Sequence, residues 1–161
     1  MDYFEELESG RLNQKEYQKT LKRLKKKKNK EVDSAFEEFH EEAFESIDCL
    51  NCANCCKTTS PIFRDIDIKR ISKKLKVKEK EFINSNLRMD QDGDYVLKTS
   101  PCLFLGADNE CSIYEDRPLA CREYPHTNRK NMYQIFDLTL KNADVCPAVV
   151  KVLDQINIRF T

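Results

Sequence analysis

The chain has no tryptophan, and it has only three glycines and two histidines among 161 residues. Each shortage excludes something. The glycines Gly10, Gly93 and Gly106 stand far apart, whereas a phosphate-cradling loop or a dinucleotide fingerprint needs several close together. No nucleotide or nicotinamide fold is therefore expected, nor a glycine-rich methyl-donor site. Two imidazoles offer little material for general acid–base chemistry. No stretch approaches the roughly 18 apolar residues of a membrane span. The first residues, Met1-Asp2-Tyr3-Phe4-Glu5-Glu6, lack the basic start and apolar run of a signal peptide. Net charge is also missing: 28 Lys and Arg balance 28 Asp and Glu, so no global field collects nucleic acid or acidic lipid. These absences predict a cytoplasmic protein with no transmembrane segment, no nucleotide cofactor and no nucleic-acid partner. An unidentified protein partner or substrate stays open.

The apolar supply is thin as well. Charged residues make up 35% of the chain, and mean hydropathy is -0.70. A core this poor often relies on a staple, either a disulfide or a metal.

Helical periodicity is clear. Leu7, Tyr17, Leu21 and Leu24 form a loose apolar stripe over about 2–28, with a break expected at Gly10 and Asn13. The basic run from Lys25 to Lys28 reads as a solvated helix end. Next, Val32, Phe36, Phe39, Ala43, Phe44 and Ile47 recur at three- and four-residue steps and deliver the chain to Cys49. On the same helix, His40 reads as a packed residue. Further on, Asp67 is expected to cap a helix carrying Ile68, Ile71 and Leu75, and Phe82, Ile83 and Leu87 a second, shorter one. Asp90-Gln91-Asp92-Gly93-Asp94 fails as a calcium loop, because its glycine falls two places early and Pro101 stands where the bidentate glutamate belongs. It reads instead as a turn into a strand at 95–97. Short strand pieces are expected at 103–105 and 112–114, with a strand or irregular segment at 132–140. A final helix over about 148–158 buries Val149, Val152, Leu153 and Ile156. The expected fold is an α-rich α+β, small metal-stapled cysteine-cluster domain with short strands over 31–161, preceded by an N-terminal basic helical arm over 1–30.

What the chain has in plenty is cysteine. All eight lie from Cys49 onward: Cys49, Cys52, Cys55 and Cys56 within eight positions, then Cys102, Cys111, Cys121 and Cys146. Thiols in a reducing compartment read as metal ligands or catalytic groups rather than disulfides. One nucleophile does not account for eight cysteines. Two residues between cysteines let the backbone turn so that both sulfurs face one cation. Of the adjacent Cys55 and Cys56, one at most joins the first site, and the other serves a second site or packs as a thiol. The run Cys49-x2-Cys52-x2-Cys55 matches the opening of a bacterial ferredoxin motif, with Cys146-Pro147 as a remote fourth ligand. Cys-x2-Cys is equally a zinc knuckle. The spacing thus admits a 4Fe-4S iron–sulfur cluster or Zn2+, in one centre or two.

Arg117 and Arg122 flank Cys121, with Tyr124 close behind. They are candidates for holding a cofactor or anionic substrate, or for salt bridges to Glu115, Asp116 or Glu123. Tyr114, Tyr124 and Phe104 are candidates to shield a metal from water. His126 is a further candidate ligand.

The combined pattern resembles a known family. Cys49, Cys52, Cys55 and Cys56, Pro101 to Leu105, the run from Cys111 to Pro125, and Cys146-Pro147 together resemble the CxxCxxCC cysteine-cluster proteins, the YkgJ-like zinc- or iron-chelating proteins, over about residues 49–150. The resemblance implies metal chelation through the cysteines. Larger proteins with a similar cysteine set include a flagellin lysine methylase carrying an iron–sulfur cluster, so it also implies, as an alternative, an enzyme acting on protein side chains. A structural zinc module that docks a partner is the third reading.

Overall fold

The computed structural model describes residues 3–161. Its elements run α1 (Phe4–Leu24), α2 (Asn29–Ser46), α3 (Cys49–Cys52), α4 (Asn54–Thr58), α5 (Asp65–Leu75), α6 (Glu79–Asn86), β1 (Leu87–Met89), β2 (Tyr95–Leu97), α7 (Leu119–Glu123), α8 (Phe136–Asn142) and α9 (Pro147–Arg159), with 3-10 turns at Tyr114–Asp116 and Met132–Ile135. The fold is an α-rich α+β, with one two-stranded antiparallel sheet among the described residues. No helix among them is long and apolar enough to cross a membrane.

The chain forms two compact units, Met1–Cys52 with Pro125–Thr161, and Ala53–Tyr124. The first is a helical unit. Val32, Phe36, Phe39 and Ala43 on α2 meet Tyr17, Leu21 and Leu24 on α1 and Val149, Val152, Leu153 and Ile156 on α9 in one core. Polar bonds set the pairing. Tyr17 donates to Asp154 at 2.6 Å and Thr20 to Asn157 at 2.5 Å. Arg159 grips Glu38 with two bonds of 2.7 and 2.8 Å.

The break expected at Gly10 does not occur, since α1 runs straight through it. Gly10 is buried, and a Cβ there would stand 2.5 Å from a methyl of Val150. Close approach of two helices, not chain reversal, is what the glycine serves. Residues 132–140 are not a strand either. The Asp33 carboxylate accepts from the amides of Asn131 and Met132 at 2.7 and 2.9 Å, which starts a helical turn there.

The second unit packs α5, α6 and the hairpin around Phe63, Ile68, Ile71, Phe82, Leu87, Leu97 and Phe104. Here α5 begins two residues before Asp67, which sits in its first turn and accepts from the amide of Arg64 at 3.0 Å. Leu87 leaves α6 and opens β1. The acidic segment is the hairpin turn: Asp90 Oδ1 accepts from the amides of Asp92 and Asp94, both at 2.9 Å, and Gly93 takes the left-handed conformation such turns favour. The pieces at 103–105 and 112–114 reduce to a single bridge, Leu105 to Cys111, followed by the 3-10 turn at Tyr114–Asp116.

Candidate metal centre

The two units divide the cysteines. Cys49, Cys52 and Cys146 belong to the helical unit, and Cys55, Cys56, Cys102, Cys111 and Cys121 to the other. Among the described residues, none of the eight cysteines is in a disulfide.

In the second unit, a left-handed Ala53 (φ 46°) interrupts the helix after Cys52, and α4 begins at Asn54. A non-glycine residue in that region carries strain, so the turn is held by its surroundings; Ala53 is buried. Cys55 and Cys56 share the one turn of α4, and their side chains hydrogen-bond to each other. That bond stabilises the Cys56 thiolate against the opposing effect of burial and brings its pKa down to about 7.

Cys102 is tied to this turn, its amide donating to the Cys56 carbonyl at 2.8 Å. A tight loop then folds back: the Gly106 amide bonds to Glu110 O and the Ser112 amide to Phe104 O, both at 2.8 Å. This loop brings Cys111 beside Cys102. The sulfur of Cys102 accepts from the amides of Phe104 and Leu105, and that of Cys111 from the amide of Ile113. Amides aimed at sulfur favour the thiolate. Cys121 lies on α7, its amide bonded to Pro118 O at 3.0 Å.

Burial is the main reason the Cys102, Cys111 and Cys121 thiols resist ionisation. The second reason for Cys121, pushed up to about 12, is the charge of Cys56, Cys102 and Cys111. Four sulfurs from four separate segments thus feel one another. The Arg117 guanidinium eases the ionisation of both Cys111 and Cys121.

The loop before Cys121 is fastened by Arg70 together with Asp67, whose sequence position marks it only as a helix cap. Asp67 is wholly buried. Its oxygens accept from Arg64 Nε and Nη2 at 3.0 and 3.1 Å and from Arg70 Nη2 at 2.9 Å. Arg70 also donates to Arg117 O at 2.9 Å and Asp116 O at 3.2 Å, and the Leu119 amide reaches Asp67 at 3.4 Å. The available signal was Asp67-x2-Arg70, a pair one helical turn apart, which reads equally as an ordinary surface ion pair.

Arg117 and Arg122 are occupied with backbone. Arg117 donates to Tyr114 O at 2.5 Å and lies 3.9 Å over the Tyr114 ring. Arg122 donates to the carbonyls of Glu115 and Arg117. Tyr114 is exposed and Phe104 is core, while Tyr124 is half-buried at the end of α7. His126 has a left-handed backbone, φ 63°. His40 is packed as expected, against Phe44 and hydrogen-bonded to Thr127 at 2.7 Å.

In the helical unit, Cys146 stands at the N-cap of α9, where the backbone amides of Val149 and Ala148 favour its thiolate. Burial above all, then the charges of Cys49 and Cys52, push it up to about 11. An open groove of about 450 Å³ in the same unit, lined by Lys27, Glu31, Ser34, Ala35, Glu38 and Arg159, holds none of the cysteines.

Among the described residues, no group of three or more Cys, His, Asp or Glu side chains is placed to hold a metal ion. The donor chemistry nevertheless fits a thiophilic cation. The sulfurs are clustered, several accept amide bonds, and their ionisation is opposed by burial and mutual repulsion, which a cation reverses.

Clustered thiols on short turns, with no disulfide among them, define a cysteine-cluster metal-chelating domain. A family model described as "Putative zinc- or iron-chelating domain", CxxCxxCC, matches residues 48–147, more than half of the chain. The chain belongs to the CxxCxxCC family. No curated protein and no solved structure matches it.

Proposed function

We propose that this is a thiolate metal protein whose principal centre is held by Cys56, Cys102, Cys111 and Cys121, working in a reducing compartment in a redox or accessory role. The observation that supports this reading is that Cys56, Cys102, Cys111 and Cys121 are gathered in one compact unit, on α4, two loop segments and α7, with the Cys102 amide bonded to the Cys56 carbonyl at 2.8 Å and Leu105 bridged to Cys111. Four thiolates suit zinc and an iron–sulfur cluster alike. Iron–sulfur would supply one-electron transfer; zinc would supply a structural staple. The chain's own part is the same for either. The amides of Phe104, Leu105 and Ile113 stabilise charged sulfur, Arg117 offsets part of the charge, and the Asp67–Arg70 network holds the approach to Cys121.

The methylase-like reading draws less support. Arg117 and Arg122, the cations it would use to hold an anionic substrate, are spent on carbonyls of their own loop.

Purification without oxygen, followed by metal analysis and a visible spectrum, tests the proposal. A brown protein with iron and acid-labile sulfide, or a colourless one with stoichiometric zinc, is expected, and Cys121→Ser should lose that metal. A reduced protein that neither carries nor rebinds zinc or iron would overturn it.

A further inference from the structure

We propose that the lysine-rich end of the helical unit docks on an anionic lipid bilayer, as a peripheral surface contact. The inference does not depend on which metal the cysteines hold.

Its first support is how charge is sorted along the unit. The chain is neutral as a whole, but residues 22–30 hold seven cations, six lysines and Arg23, and no carboxylate. Residues 3–9 and 41–48 together hold seven carboxylates and no cation. The fold turns this pattern into two poles. Helix α2 runs back along α1, so the Asp48 amide meets the hydroxyl of Tyr3 at 3.3 Å. Helix α9 runs parallel to α1: Tyr17 bonds to Asp154 and, three residues on in each helix, Thr20 bonds to Asn157. The end of α1, the start of α2 and the end of α9 therefore share one end of the unit. The acidic residues and Cys49 share the other. The 21 residues of α1 set the poles about 30 Å apart. An extended anionic surface attracts the first pole and repels the second, so it orients the unit as well as holding it.

The second support is that these cations are unspent and that helix electrostatics does not account for them. Lys22, Lys25, Lys26, Lys28 and Lys30 are exposed, and among the described residues none of them forms an ion pair. Lys22 and Arg23 suit the C-terminal end of α1. Lys28 and Lys30 do the opposite. They stand at the N-terminus of α2, where a cation opposes the helix dipole, and the N-cap Lys28 makes no side-chain cap bond. The run thus costs the local fold something, which a partner outside the chain explains.

The third support is composition, which favours a bilayer over other anions. The groove beside the run would suit a peptide, but its own cations are engaged, Lys27 with Glu31 and Arg159 with Glu38. Nucleic acid is held by arginine forks and stacked aromatics. Here six of the seven cations are lysines, and Phe160 lies under Lys27 at 5.7 Å. Clustered lysines suit the diffuse charge of acidic headgroups. Ile158, 71% exposed in the last turn of α9, adds an apolar contact at the same end.

The test is flotation of the reduced full chain with vesicles of phosphatidylcholine, with and without phosphatidylserine. Binding is expected only where phosphatidylserine is present, and it should weaken as salt rises. Each lysine near the surface is worth about fivefold, so replacing Lys25, Lys26, Lys28 and Lys30 by Gln should lower vesicle affinity by at least about a hundredfold. Circular dichroism checks the fold. Should that variant not fold, Lys25→Gln with Lys26→Gln, which lie between the helices, carries the test with a loss of about tenfold or more. Ile158→Ser leaves the charge unchanged; it should weaken vesicle binding severalfold and leave heparin binding as it was. No binding to the anionic vesicles, or binding that the lysine variants retain, would overturn the proposal. Vesicle binding that is indifferent to Ile158→Ser and matched by heparin would make the patch a generic polyanion contact and overturn the bilayer as its partner.

Discussion

Asp67 is the residue on which the second unit turns. A buried carboxylate is tolerable only when paired and hydrogen-bonded. This one meets two guanidiniums and two amides. Burial alone would raise its pKa; the bonds from Arg64, Arg70 and Leu119 overrule that and bring it from 3.8 down to about 2. A carboxyl depressed on folding contributes stability that is complete above its unfolded value and fades as pH drops toward the folded one. With Arg64 half in solvent, screening leaves roughly 1–2 kcal/mol. Asp67→Asn should destabilise the metal-free protein by roughly 2–3 kcal/mol at neutral pH. In urea unfolding the penalty should stay constant from about pH 7 to 5 and shrink between about pH 4 and 2. A penalty independent of pH throughout would show that the charge is irrelevant.

Among the elements, the contact of α1 with α9 is set by the smallest residue in it. Gly10 costs a helix about 1 kcal/mol relative to alanine, so on propensity alone Gly10→Ala should stabilise α1. Packing decides otherwise. The added methyl would lie 2.5 Å from Val150 Cγ2, with the second Val150 methyl at 3.3 Å. Val150 is buried and branched at Cβ, with little freedom to withdraw. Overpacking of this kind costs about 1–3 kcal/mol and exceeds the propensity gain. Gly10→Ala is therefore expected to lower the melting temperature, and Gly10→Ala with Val150→Ala to recover part of the loss. A stabilised single variant would show that the helices move apart freely.

The whole molecule is built on two modest cores. The core of the second unit is small, centred on Phe63, Ile71, Phe82 and Phe104, and long loop segments join β2 to α7. Domains with so little to bury gain most from a staple. A metal that binds only the folded state stabilises by about 4 kcal/mol at a thousandfold excess over its dissociation constant. Zinc added to the reduced protein should raise the thermal transition, and a chelator should reverse the change. Proteolysis after chelation should begin in 98–118. Equal protease resistance with and without metal would remove the staple from the account.

The sequence alone determined a good deal at this scale. Apolar spacing located α2 and α9 closely, because a helix with one buried face must repeat every three or four residues. Cysteine content and spacing pointed to metal, because four thiols in eight positions have no packing rationale. Local pattern misled where a partner distant in sequence decided the outcome. Gly10 looked like a break until Val150 was seen against it. Residues 132–140 read as a strand or irregular segment, yet the Asp33 carboxylate, bonded to the amides of Asn131 and Met132, starts helical turns there. Above all, spacing groups Cys49, Cys52 and Cys55 as one run, yet the compact units part after Cys52. Which sulfurs keep company is a question of distance through space. Cys56, Cys102, Cys111 and Cys121 share one compact unit, and Cys146 shares the other with Cys49 and Cys52, only because each core folds distant stretches of its own chain together.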